Sequence, residues 1–183
     1  AWVGASGWPH PQAQVKLIDA QGQEVGPGET GEVCIRADNL MRGYWRADGE
    51  PHTGLQDGWF HSGDLGQRAE DGCITIVGRS KDMIISGGEN IYPAEIENLL
   101  VTLPGVAECA VVGLPDDERG QVVSAFVVLR AGVEGDAALV RVLQEHVKAT
   151  IAPYKYPRQV QFVSALHKTD TGKLQRFRLK ENS

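Results

Sequence analysis

Four segments place polar residues where a sugar or a phosphate could be held. In Trp59-Phe60-His61-Ser62-Gly63-Asp64-Leu65 a carboxylate follows a glycine. On a loop, such a carboxylate can accept two hydrogen bonds from a vicinal diol, as ribose presents, and charge-assisted bonds are the stronger class. A turn-capping aspartate has the same signature. Gly78-Arg79-Ser80-Lys81-Asp82 offers a guanidinium able to bridge to a ribose or phosphate oxygen, although an exposed polar linker reads alike. Ser86-Gly87-Gly88-Glu89-Asn90-Ile91-Tyr92-Pro93 sets paired glycines ahead of a helix, which lets a ligand or backbone approach closely. A hairpin turn would use the same pair, and the segment is not a GxxxxGK[ST] phosphate loop. Lys168-Thr169-Asp170-Thr171-Gly172-Lys173 puts a lysine on a loop of small residues. There it can meet a phosphate as a mobile point charge where negative charge builds up. Taken alone, it is also an ordinary surface lysine in a turn.

The elements that must position these segments change character along the chain. The first part reads as β. Val15 and Leu17 suggest a short strand, Glu32 to Arg36 alternates as a half-buried strand does, and Cys73 to Val77 is a β-branched run after the Asp71-Gly72 turn. Such short strands, separated by Gly and Pro, point to a small barrel or twisted sheet. Beyond residue 81 the pattern mixes helix and strand. Ile96, Leu99, Leu100 and Leu103 share one helical face, with Pro93 at its start and Pro104-Gly105 at its end. Cys109 to Val112 and Val122 to Leu129 read as buried strands. Leu139, Leu143 and Val147 predict a second helix capped by Asp136. Gln159 to Val163 reads as a further strand, and a short helix is expected after Lys173.

Composition narrows the function classes. The 183 residues are 42% hydrophobic, near the globular norm, and suit one medium domain or two small ones. A net charge of -6 argues against a general nucleic-acid binder. Yet residues 148–183 carry 8 Lys/Arg against 2 Asp/Glu, which suggests an anionic small ligand or a solvated basic surface. Cys34, Cys73 and Cys109 show no CxxC spacing, so neither a disulfide framework nor a zinc site is expected, and a reducing cytoplasm fits. His10, His52, His61, His146 and His167 show no metal-ligand spacing, and no metal residue is assigned. No apolar stretch of about 18 residues is present, so no membrane span is expected. Ala1 opens without a signal-peptide pattern and without an initiator Met, as a trimmed chain would.

The order and spacing of the four segments resemble the C-terminal part of the adenylate-forming superfamily, which holds acyl-CoA synthetases, peptide-synthetase adenylation domains and luciferases. The resemblance covers nearly all of the chain and is nearest to acyl- and aryl-CoA ligases of fatty or aromatic acid metabolism. Residues 78–97, Gly-Arg-Ser-Lys-Asp-Met-Ile-Ile-Ser-Gly-Gly-Glu-Asn-Ile-Tyr-Pro-Ala-Glu-Ile-Glu, look like that branch's signature. Tyr154-Lys155-Tyr156-Pro157-Arg158 is similar to benzoate-type ligases. Two positions depart from the pattern. His167 stands where the family usually has Pro, and Lys81 stands at a hinge position that is often Asp.

The resemblance implies an α+β fold. Residues 1–78 would be a small β-rich, distorted-barrel subdomain, the last part of the N-terminal adenylating domain. Residues 79–183 would be the mobile C-terminal domain, hinged near Lys81. It also implies an AMP-forming acid-thiol ligase, in which acid and ATP give an acyl-adenylate and CoA then gives the thioester. Asp64 and Arg79 would bind ATP or AMP, and Lys173 would be the adenylation lysine. Gly87, Gly88, Glu89 and Asn90 would line the CoA pantetheine tunnel, and Arg119, Tyr154 and Arg158 are candidates for the CoA nucleotide. The family's phosphate loop, its magnesium-binding segment and its acyl pocket lie upstream, so this fragment alone is expected to be inactive. The missing N-terminal domain, the carboxylic acid, ATP and CoA would be its partners. Two alternatives remain at this stage: a freestanding CoA- or nucleotide-binding module, and an adenylating domain that loads a carrier protein.

Overall fold

A computed structural model describes residues 5–44 and 55–181. His52 and Ala1, considered above, lie outside these residues. The chain divides into two compact units, Ala1–Lys81 and Asp82–Ser183. The architecture is a strand-rich mixture of α and β.

The first unit is an antiparallel sheet. Its strands are β1 (Ala13–Ile18), β2 (Thr30–Ala37), β3 (Leu55–Gln56), β4 (Trp59–Arg68) and β5 (Ile74–Arg79). They run in the order β1-β2-β4-β3, with β5 also paired to β4. Leu17, Val33 and Ile74 are buried together, with Val15, Val25 and Ile35 packed against them. Alternation of side chains puts these positions on one face, and their neighbours Ile18, Cys34 and Cys73 are buried as well. The segment around Asp64, read from sequence as a loop, is instead the middle of β4, the longest strand of this unit. Its register shifts against β2 between Glu32 and Cys34, and against β5 between Leu65 and Gly66. Those bulges conceal a strand behind a run of small polar residues.

A 3-10 turn over Ser80–Asp82 follows β5. The second unit then opens with the hairpin β6 (Ile84–Ser86) and β7 (Glu89–Ile91), followed by α1 (Pro93–Leu100). Gly87 and Gly88 have φ of 60° and 86°. A two-residue hairpin with both central residues at positive φ matches the strand twist and favours glycine. Pro93 starts α1, as expected. The helix ends at Leu100, so Leu103 packs beside the core from the following turn.

β8 (Val106–Asp116) and β9 (Gly120–Leu129) form an antiparallel hairpin, and β10 (Gln159–Phe162) joins β9 in parallel. Between β9 and β10 lies α2 (Ala137–Thr150), whose first turn is capped by Asp136 Oδ1 accepting from the Leu139 N–H at 2.8 Å. The last helix is α3 (Arg176–Glu181).

The three-stranded sheet is covered on both faces. On one, Val111, Val123, Ala125 and Val127 pack with Ile84, Ile91, Ile96, Leu100, Leu143 and Val147. On the other, Ala110, Val112, Leu114, Val122 and Phe126 pack with Leu179, and Val163, Leu166 and Leu174 close over them. The helices α1 and α2 therefore cover one face, and the chain on either side of Lys173 covers the other. Leu143 is fully buried between α2 and the sheet. Leu143→Ala should lower the stability of the second unit by about 2–5 kcal/mol, measured by denaturant unfolding. A loss under ~0.5 kcal/mol would contradict this packing.

Candidate functional site

Asp64 and Arg79 sit directly opposite each other on β4 and β5. Arg79 Nε donates to Asp64 Oδ1 at 2.9 Å, with about half of the arginine side chain and a third of the aspartate exposed. An ion pair this open contributes little stability, about 0–1 kcal/mol. Its value is a carboxylate and a guanidinium side by side at the surface.

The bulge holding Asp64 is stapled from both sides. Glu32 Oε1 accepts the Gly63 N–H at 3.0 Å, and Glu32 Oε2 lies 3.1 Å from His61 Nδ1. Ser62 Oγ donates to the Val33 carbonyl at 2.7 Å and accepts the Asp64 N–H at 3.0 Å. Ser80 Oγ donates to the Gly63 carbonyl at 3.3 Å. Backbone groups freed by the register shift are thus satisfied, as partly buried polar groups must be. Glu32 was not singled out by the sequence reading, because its partners on β4 appear only once the bulged register is known.

Cys34 Sγ lies 3.6 Å from the same His61 Nδ1. Spacing alone assigned no metal ligands, whereas strand pairing gathers one donor atom each from Glu32, Cys34 and His61 within 4.8 Å. The donors already serve one another and the Gly63 N–H. Burial pushes the Cys34 thiol up, Glu32 adds to this and Lys16 opposes it.

In the second unit, the Gly87 N–H donates to the Arg119 carbonyl at 3.0 Å, which ties the glycine hairpin to the β8–β9 turn. Gln121 Oε1 accepts the Ile85 N–H at 2.9 Å, and Gly113 leaves it room, since a Cβ there would fall 2.9 Å from that oxygen. Gly87, Gly88, Glu89 and Asn90 are all exposed. A Cβ on Gly88 would meet nothing within 4 Å. Arg119 is therefore brought to the hairpin. Tyr154 is exposed in a 3-10 turn, and Arg158 Nη1 donates to the Tyr156 hydroxyl at 2.9 Å. Among the described residues no hydrogen bond or ion pair joins either of them to Arg119.

Lys173 stands on a small hairpin. The Thr169 N–H donates to the Lys173 carbonyl, and the Gly172 N–H to the Thr169 carbonyl, both at 2.8 Å. Thr169 Oγ1 accepts the Lys173 N–H at 3.0 Å, and a bridge pairs Lys168 with Leu174. The backbone is braced while the ammonium is exposed. Lys81, in the turn between the units, is also exposed.

Beneath that hairpin, Arg176 Nη1 and Nη2 donate to the two carboxylate oxygens of Glu97. Arg176 Nε lies 3.6 Å from Asp82 Oδ2. Burial acts against the Arg176 charge, but Glu97 and Asp82 outweigh it and hold the guanidinium above its ordinary pKa. Neighbouring Cys109 is pushed up to about 12 by burial, with Glu97 adding and Arg176 opposing.

A family profile described as the AMP-binding enzyme C-terminal domain matches residues 95–173, and one described as AMP-binding enzyme matches residues 1–45. A feruloyl-CoA synthase of Amycolatopsis is 44% identical over 174 residues, covering 94% of this chain and 34% of that protein. A fatty acid–[acyl-carrier-protein] ligase, ScoC of Streptomyces coeruleorubidus, is 41% identical over 177 residues, covering 97% and 34%. The crystal structure of the anthranilate CoA ligase AuaEII with anthranoyl-AMP superposes with a TM-score of 0.87 at 37% identity, covering 98% of this chain and 35% of that one. The structural neighbours are adenylate-forming enzymes. The chain belongs to the AMP-binding enzyme family, and it spans about a third of the length of the relatives it matches.

Two outcomes test this geometry. Glu32→Ala should speed amide exchange at Gly63 and Asp64 about ten-fold or more, while the amides of β8 and β9 hold their protection. Native Cys109 should stay a neutral thiol from about pH 7 to 9 and alkylate far more slowly than in the unfolded chain. Equal rates in the native and unfolded chain would refute the burial argument.

Proposed function

We propose that this chain is the carboxyl-terminal portion of an ATP-dependent acyl- or aryl-CoA ligase, that residues 1–78 complete its adenylating domain, and that residues 79–183 act as its mobile domain. Lys173 carries the reading: it is an exposed ammonium on a backbone-braced hairpin, at the position where the family places its adenylation lysine. In the first step a carboxylate oxygen of the acid attacks the α-phosphorus of ATP. The new oxygen–phosphorus bond forms as the bond to pyrophosphate breaks. Lys173 bridges acid and phosphate oxygens and stabilises the charge that gathers on the pentavalent phosphorus. By analogy with oxyanion donors, removing such a preorganised group costs about 2.7–4 kcal/mol of barrier.

Asp64 and Arg79 hold the nucleotide. Their surface pair supports this, because a carboxylate accepts from both ribose hydroxyls while its arginine neighbour stays charged. Magnesium, held by the N-terminal part, would neutralise charge on the phosphates of ATP, and no residue of this chain is assigned to it. In the second step the CoA sulfur attacks the acyl carbon, the thioester bond forms and AMP leaves. The exposed hairpin of Gly87, Gly88, Glu89 and Asn90 lines the pantetheine path, where the open space at Gly88 supports close passage of a chain. Arg119, held beside Gly87, faces the CoA nucleotide, with Tyr154 and Arg158 as further contacts. Rotation about Lys81 exchanges the two arrangements, since a few boundary residues can absorb such a change. The enzyme works in the cytoplasm on a carboxylic acid, fatty or aromatic.

Loading of a carrier protein in place of CoA is the second reading. A relative's name as a ligase to acyl-carrier protein favours it. Thioester assays of the complete ligase with both acceptors decide between them. In that ligase, Lys173→Ala should slow adenylation roughly 10²–10³-fold yet spare thioester formation from supplied acyl-adenylate. Gly88→Leu should do the reverse, with its melting transition as the control for strain at that positive-φ site. Equal loss of both half-reactions in Lys173→Ala would defeat the assigned role.

A further inference from the structure

β8 is the edge strand of the three-stranded sheet, so some of its backbone groups have no strand to pair with. At Val111 both are met by side chains. Its N–H donates to Glu97 Oε1 at 2.7 Å, and its carbonyl accepts from Arg176 Nη1 at 3.0 Å. With the two bonds between Arg176 and Glu97, these contacts close a ring through α1, β8 and the start of α3. Arg176 Nε extends the ring to Asp82, the first residue of the second unit. Both terminal nitrogens of the guanidinium are thus hydrogen-bonded, while Nε makes an ion-pair contact only. A planar fork fits this double engagement and an ammonium does not.

Arg176 begins α3 only three residues beyond Lys173, and the intervening chain is held by backbone and apolar contacts. Leu174 is bridged to Lys168 and packs on the sheet, and the Gln175 N–H donates to the His167 carbonyl at 2.9 Å. The lysine hairpin itself is exposed at His167, Lys168 and residues 170–173. Apart from the exposed ion pair between Lys168 and Glu108 at 2.7 Å, its placement comes from its base. One side of that base is apolar, through Leu166 and Leu174. The other is the ring at Arg176. Apolar contacts resist withdrawal from the sheet but tolerate sliding. A ring of directed bonds fixes both position and orientation.

We propose that Arg176 is a positioning residue for the adenylation half-reaction: clamped by Glu97, Val111 and Asp82, it fixes the base of the Lys173 hairpin relative to the segment that leaves the hinge. This rests on the assignment of Lys173 above. Lys173 bears the charge that meets substrate, and Arg176 touches neither acid nor nucleotide. A displacement of about 1 Å far from the reacting atoms can cost roughly 10²-fold in rate, so the clamp should be felt in adenylation.

The complete ligase with Arg176→Met should lose adenylation about 10²-fold and keep thioester formation from supplied acyl-adenylate within about three-fold. Arg176→Lys, which keeps the charge but not the fork, should recover only part of the loss. Equal loss of both half-reactions, or full activity of Arg176→Met, overturns the proposal. A second measurement separates the clamp from the role of Lys173. In the 183-residue chain, Arg176→Met should speed amide exchange at Thr169, Gly172 and Lys173 about ten-fold and leave that of β9, in the same unit, unchanged. Unchanged exchange at Thr169, Gly172 and Lys173 overturns the clamp, whatever the kinetics. If Lys173→Ala retains full adenylation while the exchange result holds, the clamp stands and the assignment of Lys173 falls.

Discussion

Val111 lies on an edge strand, and its N–H and carbonyl turn away from β9 toward a partly buried carboxylate and a partly buried guanidinium. An edge strand left open is a template for unwanted pairing, and buried backbone groups left open cost free energy. Glu97 and Arg176 remove both problems together. Each ion is also the other's main partner, so neither stands as an uncompensated buried charge. The consequence reaches beyond β8. With the edge met at Val111 by side chains of α1 and α3, both helices are fixed to the sheet there by directed bonds as well as by apolar contact. The segment between β10 and α3, which bears Lys173, then has little freedom at its base.

The first unit solves a related problem on a smaller scale. A bulge in β4 frees the Gly63 N–H, and Glu32 accepts it while its other oxygen meets His61. In both units, then, a carboxylate on one element accepts a backbone N–H from another and also engages a nitrogen side chain. Such contacts orient more than they stabilise, because each bond replaces one made with water in the unfolded chain. What they secure is where the exposed groups stand: Asp64 beside Arg79 in one unit, Lys173 on its hairpin in the other. The groups that meet solvent are mobile side chains on a backbone with little choice.

Much of this fold is legible in the residues. Ile96 and Leu100 share a helical face behind Pro93, and Leu143 and Val147 follow Asp136, so period and cap agree at α1 and α2. The β-branched run from Val122 announces β9. Asp64, Arg79 and Lys173 stand out because their segments are polar and small between apolar elements. β4 does not, since Ser62-Gly63-Asp64 interrupts the alternation that marks a strand, and only the pairing with β2 and β5 reveals it. Glu32, Glu97 and Arg176 are likewise silent. Glu32 meets its partner amide 31 residues away, and Arg176 meets Glu97 at a separation of 79. A charged residue in a strand or a helix reads as solvated face until tertiary contacts bury it. The convergence of Glu32, Cys34 and His61 is hidden for the same reason.

The basic end of the chain also changes meaning once partners are known. Eight cations fall in residues 148–183, and on charge alone they read as a diffuse positive surface. Lys148 pairs with Glu145, Lys155 with Glu95, Lys168 with Glu108, and Arg176 with Glu97 and Asp82, while Arg158 is held by the Tyr156 hydroxyl. Paired charges contribute little to the field felt at a distance, because the opposite sign lies within a few ångström. Among the described residues no carboxylate lies within ion-pair reach of Lys173, Arg178 or Lys180. Arg178 and Lys180 belong to α3, where Arg178 stacks toward the Phe177 ring. Lys173 alone of the three projects from a hairpin whose backbone is bonded to itself. The local positive charge offered to an anion is therefore much narrower than the composition suggests. Of the four cations left without a carboxylate partner among the described residues, Arg158, Lys173, Arg178 and Lys180, Lys173 is the one whose placement depends most on the ring around Val111.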